Sequence, residues 1–139
     1  WGMSGQRPVA LGGQLRWGNY FSGTRRDFEP GLSIRPRNGL VLNLSNEWTR
    51  IELPEGSFSV SVLETSVGVQ FSPWISMANS IQYDNDSRNL GWQARFRWIL
   101  NPGNDLFLVY NHNWLSDPAG GLNTVDRQLA SKLVYTHRF

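Results

Sequence analysis

Charged residues in this chain sit at alternating positions inside otherwise apolar stretches, as in Gly91-Trp92-Gln93-Ala94-Arg95-Phe96-Arg97-Trp98. Arg16, Glu29, Glu47, Glu64, Arg95, Arg97 and Lys132 all follow this pattern. Ionised side chains gathered on one enclosed face must find partners, because an unpaired charge away from water is expensive. The expectation is a network in which Glu47 and Glu64 neutralise Arg95, Arg97, Lys132 and Arg16, filling an interior. The alternative is a narrow passage with a mild preference for anions, because basic groups outnumber acidic ones.

Other reactive groups are sparse. The two histidines, His112 and His137, are too far apart to make a metal site, and neither a His-Glu-x-x-His motif nor paired cysteines occur. Asp84-Asn85-Asp86-Ser87 starts like a calcium loop but lacks the later glycine and bidentate glutamate, so it reads as a turn. His112, Ser116 and Asp117 are the candidates for a lipid-modifying active site. Ser and Asp at a loop start are ordinary turn residues, so no catalytic residue, metal or cofactor is expected.

The elements that place these charges are strands. Gly, Pro, Asn and Asp clusters divide the chain into eight extended segments near 9–21, 26–35, 40–51, 58–71, 75–83, 90–100, 106–115 and 128–139. None shows a sustained helical period. Leu90, Trp92, Ala94, Phe96, Trp98 and Leu100 alternate with Gly91, Gln93, Arg95 and Arg97. Leu40, Leu42, Leu44 and Trp48 alternate in the same way with Asn43, Ser45 and Glu47. In 58–71 the alternation breaks: Val60 and Val62 share a parity with Glu64, while Val67, Val69 and Phe71 take the other. This suggests a bulge, or an upper part standing clear of an apolar surround. Tight turns at Pro36–Gly39, Ser72-Pro73 and Asn101–Asn104 contrast with longer connections, above all Ser116–Arg127.

Eight such segments in one domain of 139 residues, about ten residues each, match what crosses a bilayer as a tilted strand. Mean hydropathy is −0.40 and no apolar run approaches the ~18 residues of a membrane helix, a test that a transmembrane barrel escapes because its strands alternate. A soluble ligand-binding barrel would need an apolar lumen, which the inward Arg and Glu residues contradict. A net charge of +2 is too small to imply nucleic acid. With no cysteine, disulfides and thiol chemistry are absent. The chain opens at Trp1 without a leader-like segment, so a mature form or a piece of something longer is expected.

Aromatics fall in two groups: Trp48, Tyr83, Trp92 and Trp114 near one end of the strands, Phe71, Trp74, Trp98 and Phe139 near the other. Amphipathic rings collect at both boundaries of a bilayer. The chain finishes on alternating Leu133, Tyr135 and Phe139, which resembles the C-terminal signal that the assembly machinery of outer-membrane barrels reads. His137 stands where an apolar residue is usual.

The stretch from Leu90 to Tyr110, with Arg95-Phe96-Arg97-Trp98 and the turn Pro102-Gly103-Asn104-Asp105-Leu106-Phe107, resembles a bacterial family with an N-terminal carbohydrate-binding-like module and an uncharacterised C-terminal outer-membrane β-barrel. The likeness covers about the last third of the chain. It implies a barrel and a location, and no functional residue.

The sequence therefore predicts an all-β, eight-stranded antiparallel transmembrane β-barrel of up-and-down meander topology. It is expected to be a monomer in a Gram-negative outer membrane with both termini periplasmic, serving as a structural anchor with a side-chain-filled lumen. Its expected partners are membrane lipid and the barrel-assembly machinery.

Overall fold

The computed structural model describes residues 8–136. Within them the chain forms one sheet of eight strands: β1 (Val9–Tyr20), β2 (Gly23–Arg37), β3 (Leu40–Leu53), β4 (Gly56–Ser72), β5 (Ile75–Asp84), β6 (Asn89–Asn101), β7 (Asn104–Ser116) and β8 (Leu122–Val134). Each pairs antiparallel with its sequence neighbour, giving the order β1-β2-β3-β4-β5-β6-β7-β8. The expected meander is present. β1 and β8 end the sheet, and the described ladders do not include one between them.

The turns follow from local chemistry. Pro102 and Gly103 supply the restrained φ and the positive φ (+90°) that a type II turn requires between Asn101 and Asn104. Gly39 (φ +77°) does similar work between β2 and β3. A Cβ there would meet the Gln70 carbonyl oxygen at 2.7 Å. These two turns and Pro73-Trp74 define one end of the sheet, called here the turn end. Phe21-Ser22, Pro54-Glu55, Asn85–Arg88 and 117–121 define the opposite, loop end.

Two expectations are corrected. The long connection Ser116–Arg127 shrinks to 117–121, because Asn123, Thr124, Asp126 and Arg127 pair with Leu115, Trp114, Asn113 and His112. A register shift at Asn113/Trp114 leaves Val125 as the extra residue. Polar residues that read as a loop are ladder members, and the bulge hides their alternation. β8 therefore starts six residues before the expected Gln128, and Phe139 and His137 lie outside the described residues. Within 58–71, the β3–β4 register runs unbroken from Leu40↔Val69 to Leu53↔Gly56, so no bulge lies between Glu64 and Val67. The β4–β5 ladder shifts only at Gln70/Ser72, leaving Phe71 as the extra residue. Of the two expected explanations the bulge is the one corrected. Val60, Val62 and Glu64 face the same side.

That register sorts the whole sheet into two faces. One carries Leu11, Leu15, Leu32, Leu42, Leu44, Val67, Phe96, Trp98, Leu108, Leu129 and Leu133. The other carries Gln14, Ser33, Asn43, Ser66, Ser80, Gln93, Arg95, Asn111, Asn113 and Gln128. Grooves lie on the polar face across four strands, which makes it the concave one. Above Trp48 the sidedness of β3 and β4 inverts. Ile51, Phe58, Val60 and Val62 turn to the concave face, while Arg50, Glu52, Ser57, Ser59 and Ser61 turn outward. Ile51, 6% exposed, is the single buried hydrophobic residue among those described.

Replacing Gly39 with Ala puts a Cβ against Gln70 in a backbone conformation that L-residues resist, and should cost about 1–3 kcal/mol. Gly68→Ala, with nothing within 4 Å of its Cβ position, should be neutral or slightly stabilising. Denaturant midpoints of the two variants check this.

Candidate lumen face and aromatic rim

The concave face is built from alternate residues of all eight strands, so its side chains meet across ladders. Asp27 accepts from Arg25 Nε at 2.9 Å and from Thr49 Oγ1 at 2.8 Å. Gln93 Nε2 donates to Asn111 Oδ1 at 2.9 Å, and Arg95 Nη2 donates to Gln93 Oε1 at 2.8 Å. Asn113 Nδ2 donates to Asp126 Oδ1 at 2.9 Å. Asn43 Nδ2 reaches Ser66 Oγ at 3.1 Å. These are short-range pairs between adjacent strands or adjacent inward positions.

The expected charge network takes a different form. Arg97 pairs with Asp105 at 2.9 Å and lies 5.5 Å from the centroid of the Phe107 ring. Arg16 donates to Gln14, and Glu29 stands opposite Gln14 in the β1–β2 register. Lys132 stands opposite Phe107. Among the described residues no ion pair joins Glu47 or Glu64 to Arg16, Arg95, Arg97 or Lys132. Register explains this. Glu64 shares a row with Gln82 and Gly91, whereas Arg95 shares one with Ala78 and Gly68. The two rows are four residues apart, about 14 Å along a strand, on strands about 10 Å apart. Glu64 and Arg95 line one groove of about 380 Å³ without touching.

Arg25, Asp27, Asp105 and Asp126 join the site without an obvious mark in the sequence, because they stand at or beside turn-rich strand ends. The usable signal was parity: Arg25 and Asp27 continue the alternation that Glu29 begins. One groove, about 550 Å³, lies toward the loop end and is lined by Ser80, Gln82, Asp84, Asn113, Asp126 and Gln128 among others. A second, about 460 Å³, lies toward the turn end beside Arg95 and Arg97. The concave face is thus carboxylate- and amide-rich at one end and guanidinium-rich at the other.

On the outer face, Tyr83, Leu90 and Trp114 share one row and Trp92 and His112 the next. His112 stacks on Trp114 with centroids 3.7 Å apart. Its Nδ1 contacts Tyr110 Oη at 3.0 Å and its Nε2 contacts Thr124 Oγ1 at 3.2 Å. Trp92 meets Tyr110 edge to face. Trp48 opposes Phe28 and Ser61. At the turn end Phe71, Trp74 and Trp98 are exposed by 63%, 49% and 42%. Leu133 and Tyr135 are exposed as well, and Phe139 falls outside the described residues.

His112 is therefore occupied by a phenol and a hydroxyl, not by Ser116 or Asp117. Ser116 donates its backbone N–H to Arg88, and the Asp117 carboxylate accepts the Ala119 N–H at 2.9 Å. Asp84 accepts from the Asp86 N–H and the Ser87 hydroxyl, a local turn. Among the described residues no three His, Cys, Asp or Glu side chains group as metal ligands would. Above the Trp48 row, Glu52 bridges Arg50 (2.8 Å) and Arg26 (3.9 Å) on the outer face. No family model, curated protein sequence or solved structure matches the chain.

Arg97 is 48% and Asp105 18% exposed at the side chain, so screening limits what the pair contributes. Asp105→Asn should lower stability by about 0.5–1 kcal/mol. Replacing Glu47 and Glu64 together with Gln should change it by less than about 0.5 kcal/mol, since neither forms an ion pair among the described residues and Glu47 acts on Arg25 only at longer range. Chemical unfolding of the folded variants measures both.

Proposed function

We propose that this chain is the membrane-embedded wall of a β-barrel in a Gram-negative outer membrane, with a structural, anchoring role and no catalytic one. The observation that carries the proposal is a two-faced sheet with almost no core of its own. Leu129 is 72%, Trp17 76%, Leu11 51% and Leu15 54% exposed, all on one face. A soluble monomer does not tolerate an apolar face of this extent, whereas hydrocarbon covers it. From Leu90 to Leu100 the apolar series makes ten steps, about 34 Å along the strand. At a tilt of about 40° that is roughly 26 Å across, close to the ~25 Å apolar band of outer-membrane barrels.

Aromatic rows at both ends suit the two interfaces. The inverted hairpin tips beyond Trp48, polar outward, suit water above the bilayer. Barrel closure is part of the proposal: backbone groups cannot stay unpaired in lipid, so β1 pairs with the C-terminal strand. The even strand count then puts both termini on the turn-end side, read as periplasmic, with the last residues offered to the assembly machinery. The likeness of the Leu90–Tyr110 stretch to the uncharacterised barrel family is compatible with this role, and a monomer is the oligomeric state proposed.

One observation favours a second reading, a small pore. Grooves run over the concave face, and Lys132 has no ion-pair partner among the described residues. The closed barrel then passes small solutes with mild anion preference. Two measurements decide. The folded chain is expected to require detergent or lipid and to migrate differently on a gel when unboiled and boiled; a folded, monodisperse protein in plain buffer ends the membrane proposal. In planar bilayers, little steady conductance is expected of an anchor, and a large stable conductance makes the pore its function.

A further inference from the structure

The outer face of β8 carries one cation, Arg127, for which the described residues supply no ion pair. Arg127 lies directly opposite His112, whose other neighbour in the row is Trp92. One row toward the turn end are Tyr110 and Leu129, and one row toward the loop end is Trp114 with Thr124. The guanidinium is therefore on the apolar face, level with the aromatic row. Arg26 and Arg50, also outward-facing, share Glu52. Arg127 is exposed and has no carboxylate partner among the described residues.

We propose that Arg127, with Thr124, His112, Tyr110, Trp92 and Trp114, binds the phosphate of an anionic lipid headgroup in the leaflet at the loop end. This rests on the membrane reading given above. The argument is one of charge and height. A cation beside hydrocarbon is costly unless it reaches the interface and an anion, and at this level a lipid phosphate is the anion that surrounds a barrel. Guanidinium binds phosphate through a planar fork of donors. The indoles of Trp92 and Trp114 sit at headgroup depth beside it. The Tyr110–His112–Thr124 chain, with contacts of 3.0 and 3.2 Å, fixes the imidazole edge next to the site. The stack on Trp114 holds its plane.

The test uses the full chain folded in neutral detergent and checked for folding by heat-dependent gel migration. Native mass spectrometry would read retention of a bis-phosphorylated glucosamine-based lipid against the same lipid with its phosphates removed. The phosphorylated lipid is expected to be retained preferentially. Arg127→Gln should lower that preference about tenfold, as loss of a charge-assisted contact does, while Arg127→Lys keeps part of it and Arg37→Gln, at the turn end, leaves it unchanged. Equal retention of the two lipids by the unmodified chain overturns the site and leaves the membrane reading standing. Displacement by inorganic phosphate at matched concentration shows a free-anion site and overturns the lipid assignment. A protein that folds without any detergent overturns the reading underneath.

Discussion

Backbone pairing carries this structure, because side-chain burial does not. A sheet whose described residues include one buried hydrophobic side chain, Ile51, has little of the burial that stabilises an ordinary domain. What remains is the continuous antiparallel ladder from β1 to β8 and the medium on each side of it. That constraint explains the meander. Each strand needs a neighbour at once, short turns supply one, and no connection has to cross a face that must stay in contact with solvent or hydrocarbon.

Ladder pairing also decides where charge can go. Alternation places Arg95 and Arg97 on the concave face together with Gln93, Asn111 and Asn113. Within that face the pairs that do form join a side chain to one on an adjacent strand or at the next inward position. Arg97 takes Asp105, Asp27 takes Arg25 and Thr49, and Asn113 takes Asp126. Pairs formed this way are partly exposed and individually weak. The concave surface is better described as a polar lining than as a charge-locked plug. The anchor and pore readings differ in how far that lining closes on itself.

Amphipathicity is not uniform along the strands. In β3 and β4 it reverses past Trp48, with Ile51, Phe58, Val60 and Val62 inside and the Arg26–Glu52–Arg50 cluster outside. On the membrane placement proposed above such a reversal is expected, because a strand that leaves an apolar slab has its outer face in water and its inner face packed only against its own side chains.

Eight strands, their order and the facing of most of them were legible in the sequence, because a period of two and turn residues at regular spacing are local properties. The apolar rows Leu40–Leu44 and Leu90–Leu100 needed no tertiary information, nor did the turn at Pro102-Gly103. Pairing partners were not local. Glu64 and Arg95 have the right facing and the wrong row, since the row is set by the accumulated register of the intervening ladders. The start of β8 was hidden for the same reason. Asn123, Thr124, Asp126 and Arg127 look like a loop until β7 provides partners, and a one-residue bulge at Val125 breaks the alternation that would have marked them as a strand. Sequence determined which face each residue prefers; only the assembled register decided what it meets there.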